Sequence, residues 1–180
     1  MPNCLSRKSA AAGNASYYYS ITRINTSGQV HVNGVSHDVT GTSWLDREWS
    51  TSALATDQSG WDWFSLQFND GGEIMYYQLR DQEGGAHTYS SGNHTSLMGV
   101  QSAIAPADLQ LEDLDSWQAP DGTDYTTRWR MRYRDNDWII QAVFEDQLMD
   151  VTFQYWEGAV DVIEQNSGEI IGRGYLEMVR

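Results

Sequence analysis

The sequence predicts an all-β chain closed as an antiparallel barrel. Apolar and polar residues alternate with period two along most of its 180 residues. Aromatic residues make up 12% of the chain, with eight Trp and ten Tyr, a balance that suits pleated, half-buried surfaces. Short turn signals, not amphipathic helical repeats, separate the apolar segments. Many strands with no helices between them form a sandwich or a barrel. A barrel is preferred because polar and charged residues share strand faces with aromatics, as they do where a small barrel encloses a ligand cavity.

The first 14 residues are small and polar and read as an extension or linker, leaving residues 15–180 for the barrel. Tyr17, Tyr19 and Ile21 share one face of a first strand, and Val30 and Val32 fall in a short second one. Asn33-Gly34 follows, a two-residue hairpin signal. A third strand runs from about Asp38 to Trp49. Residues 61–68 and 73–80 flank Asn69-Asp70-Gly71-Gly72, the clearest hairpin in the chain. Residues 87–91 and 96–100 are more polar candidates, and residues 107–114 form a strand after Pro106. Arg128, Arg130, Arg132 and Arg134 alternate with Thr127, Trp129, Met131 and Tyr133, which places the arginines on a solvated face and the others inside. Asp135-Asn136-Asp137 turns the chain into residues 138–144; one long run covers 148–163, and Asn166-Ser167-Gly168 turns it into 169–179.

Ten of the eleven basic residues are Arg, and the net charge is -14. An isoelectric point near 4.4 argues against nucleic acid or an anionic membrane surface as partner. Cys4 is the single cysteine, so no internal disulfide forms, in keeping with a reducing compartment. No signal-peptide pattern and no bilayer-length apolar stretch is present, and the expected location is the cytoplasm.

The chemistry concentrates in Trp44-Leu45-Asp46-Arg47-Glu48-Trp49. Strand parity puts Trp44, Asp46 and Glu48 on one face. An apolar wall disfavours an ionised carboxylate, so a carboxyl set among indoles can retain its proton and act as a general acid. The alternative is that Arg47 and the two carboxylates form structural ion pairs. Trp61-Asp62-Trp63 repeats the pattern, and Asp62, on a face shared with Phe64, Leu66 and Phe68, must pair with an arginine or backbone donors. Tyr17 and Tyr19 offer two hydroxyls to hold water or a substrate oxygen, or else close the barrel as amphipathic rings. An ion pair between Arg173 and Glu157 is expected on the last strands. His31, His37, His87 and His94 lie in no metal-binding spacing, and no Gly-x-Ser-x-Gly elbow or phosphate-binding loop occurs.

Six ordered segments carry a family resemblance: residues 8–20, 43–49 (Ser-Trp-Leu-Asp-Arg-Glu-Trp), 60–64 (Gly-Trp-Asp-Trp-Phe), 75–80 (Met-Tyr-Tyr-Gln-Leu-Arg), 155–160 and 172–177. Together they resemble the AttH-like, carotenoid 1,2-hydratase family. Its members are similar to two tandem lipocalin-type barrels, and these segments match the second. The resemblance implies water addition to a carbon–carbon double bond without a cofactor, with Asp46 as proton donor and Trp44 as the aromatic before it. Upstream aromatic positions of the family correspond more loosely to Tyr17 and Tyr19. Asp146-Gln147-Leu148-Met149 departs from the family's usual Asp-Gln-Glu-Leu.

The expectation is therefore a cofactor-independent hydratase or cyclase acting on an apolar, isoprenoid-like alkene in a lipocalin-like barrel. Asp46 and Glu48 are the acid and its partner, and Tyr17, Tyr19, Trp44, Trp61 and Trp63 surround the substrate. Rival readings are a carrier of a hydrophobic small molecule and a pericyclase, since related lipocalin-like proteins include fungal Diels-Alder cyclases. A homodimer is one way to replace the missing first barrel.

Overall fold

Long alternating segments give this chain its strands, and no helix occurs among the residues that the computed structural model describes, 5–50, 54–151 and 154–180. Cys4 lies outside them. The chain packs as two compact units, residues 1–53 and 54–180. The expected barrel start at residue 15 falls inside the first of these.

The first unit is an antiparallel sheet in the order β1 (Leu5–Arg7), β2 (Ala15–Val32), β3 (Val35–Ser50). The two strands expected around Tyr17 and Val30 are one strand of 18 residues. Asn33 and Gly34, with φ of 50° and 81°, make the hairpin turn that the dipeptide predicts. Val32 pairs with Val35, and this register holds back to Ile24, opposite Ser43. Between Ile24 and Ile21 it slips by one residue, so that Ile21 meets Leu45 and Ser20 meets Asp46. This β-bulge decides which residues accompany Asp46.

The second unit contains β4 (Gln58–Phe68), β5 (Glu73–Asp81), β6 (Ser91–Thr95), β7 (Gln101–Ile104), β8 (Leu109–Gln118), β9 (Asp124–Tyr133), β10 (Asn136–Ala142), β11 (Leu148–Asp150), β12 (Gln154–Glu164) and β13 (Ile170–Val179). They form one antiparallel sheet in the order β7-β6-β5-β4-β13-β12-β10-β9-β8, with β11 paired to β12. The sheet curls into a half-barrel of lipocalin type. Its inner face carries the core: Phe64 and Leu66 of β4, Trp129 and Met131 of β9, Trp156 and Val160 of β12, and Leu176 and Met178 of β13. Phe64 meets Trp129 edge to face, with ring centres 5.7 Å apart.

The β4–β5 hairpin and the β9 alternation stand as expected: Trp129, Met131 and Tyr133 are buried, while Arg130 forks onto Asp137 at 2.9 and 2.6 Å and Arg132 reaches Glu112 at 3.0 Å. Other expectations are corrected. Residues 87–90 and 96–100 are turns flanking β6, because Ser96 holds the Val100 amide and Gly99 takes a φ of 75°. The 148–163 run is not one strand: Leu148 pairs with Trp156 in antiparallel register, so β11 folds back on β12. Arg173 pairs with Asp161 at 3.3 Å, not with Glu157, which accepts from the Tyr175 hydroxyl at 3.4 Å. The register places Asp161 directly opposite Arg173, whereas Glu157 lies opposite Glu177.

Two glycines make close approaches possible. A side chain at Gly158 would occupy the place of Gln147, whose amide accepts from the Ala159 N–H at 2.8 Å and donates to the Phe144 carbonyl at 2.9 Å. A side chain at Gly60 would meet both the Val179 carbonyl and the guanidinium of Arg80. One of these obstacles is backbone and cannot rotate away. Gly60→Ala is expected to lower unfolding free energy by about 1–3 kcal/mol, the usual penalty of overpacking. A denaturation midpoint equal to wild type would contradict this packing.

Candidate functional site

The bulge in β2 sets the Asp46 site. The register fixed by the Asn33-Gly34 turn would put Ile21 opposite Asp46, with Tyr19 and Tyr17 on the same face. The one-residue slip brings Ser20 there instead, and Tyr18 beside it opposite Glu48. Tyr17 and Tyr19 thus turn to the other face. Tyr17 is 64% exposed, and Tyr19 packs against Trp49 with ring centres 5.8 Å apart. Tyr17 and Tyr19, expected to surround the substrate, do not share the Asp46 face; Tyr18 and Ser20 hold the carboxylate.

Three donors converge on this carboxylate. The Tyr18 hydroxyl donates to Oδ1 at 2.8 Å, Ser20 Oγ donates to the same oxygen, and Trp44 Nε1 donates to Oδ2 at 2.8 Å. Oδ1 therefore has both lone pairs engaged, while Oδ2 retains one. Burial pushes the Asp46 carboxyl above its ordinary value, opposed by the donors Ser20, Tyr18 and Trp44 and reinforced by the charge of Glu48. Glu48 is itself paired with Lys8 at 3.2 Å. Arg47 lies on the opposite face over the Trp49 ring, 5.3 Å from its centre, so it does not neutralise Asp46.

Trp61 and Trp63 belong to the second unit, on the face of β4 opposite to Asp62. Trp61 donates to Glu177 at 2.7 Å and meets the Tyr155 ring edge-on, with centres 6.3 Å apart. Asp62 is fully buried, and Arg80 and Arg180 each donate to its Oδ1 at 2.6 Å. The expected arginine partner is present, and it is doubled. Burial lifts this carboxyl to about 6 against the opposing charge of Arg80. Among the described residues, no three His, Cys, Asp or Glu side chains are placed to hold a metal. No helix among them is long and apolar enough to cross a membrane.

A family model described as AttH-like matches residues 2–179. The chain belongs to the AttH-like family. A solved AttH structure from Nitrosomonas europaea superposes on this AttH-like chain with a TM-score of 0.88 at 32% identity, covering 100% of this chain and 57% of that one. Kievitone hydratase from Nectria haematococca superposes with a TM-score of 0.72 at 17% identity, covering 96% and 57% respectively, and shares the fold. The chain thus spans a little over half the length of both. Comparison with the curated proteins found no match.

Proposed function

We propose that this AttH-like chain carries the acid of a cofactor-independent hydratase or cyclase acting on an apolar, isoprenoid-like alkene. The observation that carries the reading is the three-donor cradle around Asp46. Burial favours the protonated carboxyl, and the proton sits at the open position on Oδ2. Once it is transferred, Tyr18, Ser20 and Trp44 stabilise the carboxylate left behind, so the donors act most strongly where charge develops. In hydration, Oδ2 gives its proton to one alkene carbon and water oxygen bonds the other. The second proton of that water then returns to the carboxylate. The Trp44 and Tyr18 rings suit a transient carbocation through cation–π attraction. Glu48 acts on Asp46 through its charge. The hydratase named among the fold neighbours supports the reaction class.

The test is incubation of the purified chain with acyclic terpenoid alkenes in ¹⁸O-labelled water. A tertiary alcohol carrying the label, or a cyclised isomer, is the expected product; binding without any product would make the chain a carrier and overturn the proposal. Tyr18→Phe removes a donor that holds the Asp46 pKa down. The upper limb of the pH–rate profile is then expected to move to higher pH, while a merely structural Tyr18 would leave it in place.

A further inference from the structure

The second unit contains a cavity of about 500 Å³ that the Asp46 chemistry does not use. This volume suits a small organic ligand. Asp62, Asp113, Asp115 and Asp124 line it together with Arg80 and Arg180, four carboxylates against two guanidiniums. The arginines are committed to protein acceptors. Besides Asp62, Arg80 donates to the Val179 carbonyl, and Arg180 reaches the Asp124 carbonyl at 3.1 Å and Met178 Sδ at 3.2 Å. Acceptor capacity remains: Asp62 Oδ2 is buried and has no hydrogen-bond partner, although Oδ1 takes both guanidiniums. A carboxylate oxygen held from water without a donor is costly, and such exceptions call for an explanation.

The backbone of β8 is shaped toward the same cavity. A regular strand turns alternate residues away, yet residues 113, 114, 115 and 116 all line it. Register slips between Asp113 and Asp115, and again between Asp115 and Ser116, make this possible. Trp129, 3% exposed, supplies an aromatic wall.

We propose that this cavity binds a small organic ammonium ion, whose N–H groups meet Asp62 Oδ2 and the β8 carboxylates while its carbon chain lies along Trp129. An anion would face four carboxylates there, and an uncharged apolar molecule would strand them. The titratable groups lining the cavity are the four aspartates and two arginines already named. Burial raises the Asp62 and Asp113 carboxyls, and the charge of Asp62 adds to the rise at Asp113. A bound cation favours their ionised forms, so binding tightens as pH rises.

The test is an NMR titration of the full chain with putrescine, with 1,4-butanediol as the uncharged probe of matched length. Putrescine is expected to shift the amides of Asp62 and of residues 113–116 and the Trp129 indole N–H saturably, and butanediol to leave them unmoved. Affinity is expected to fall by about tenfold or more, roughly 1.4 kcal/mol, in the double variant Asp113→Asn/Asp115→Asn, which alters exposed positions and keeps Asp62 intact. The charge-matched control Asp38→Asn/Glu169→Gln is expected to bind as wild type does. Equal shifts with butanediol, shifts scattered over the acidic surface, or equal losses in both double variants would each overturn the proposal.

Discussion

Asp46→Asn is expected to lower turnover in the labelled-water assay by about 10²–10⁴-fold, the usual worth of a positioned general acid. The amide matches the carboxyl in shape and still accepts from Tyr18 or Trp44, so the strands that hold it are kept. The loss therefore reports the proton and not the fold, and an unchanged denaturation midpoint in the same variant confirms the separation. Substrate affinity is expected to change little, because the acid is needed in the transition state more than in binding. Near-full turnover would remove Asp46 from the mechanism and favour a pericyclase, in which shape alone promotes the reaction.

Arg80→Met is expected to cost about 3–5 kcal/mol of stability at neutral pH, the usual penalty for removing one partner of a buried ion pair. The lower end applies because Arg180 reaches the same oxygen of Asp62. The cost depends on pH. Burial holds the Asp62 carboxyl at about 6, above its ordinary value of 3.8. A carboxyl raised in this way supports the folded chain most fully below the unfolded value, and that support is lost as pH rises through the folded one. Arg80 opposes the rise, so its removal hurts most once Asp62 is ionised. Urea unfolding at about pH 4 and about pH 7.5 is expected to show a larger deficit at the higher pH. A deficit that is the same at both would mean that Arg80 contributes packing alone.

Where local chemistry decides, the sequence was legible. Asn33-Gly34 demands left-handed backbone at two successive residues, and both have it. Trp129, Met131 and Tyr133 alternate with arginines over a stretch short enough for parity to hold, and they are buried. That Asp62 must find an arginine or backbone donors followed from burying a charge, but Arg80 and Arg180, which meet it, lie 18 and 118 residues away, distances that no local pattern spans. The reversal between β11 and β12 was hidden because Val151, Thr152 and Phe153, which join them in sequence, are strand-forming residue types and carry no turn signal.

Composition and alternation by themselves determined an antiparallel all-β chain and its principal hairpins, and the residue order of its motifs carried the family resemblance and set Asp46 among indoles. Only tertiary structure decided the company that Asp46 keeps. One extra residue in β2 between Ile21 and Ile24 exchanges the faces of the strand beyond it, replacing Tyr17 and Tyr19 by Tyr18 and Ser20. Side chains in a strand repeat every two residues, so a slip of one inverts the whole pattern. The cost of that slip is set by pairing with β3 and not by the residues that make it, which is why it left no mark in the sequence.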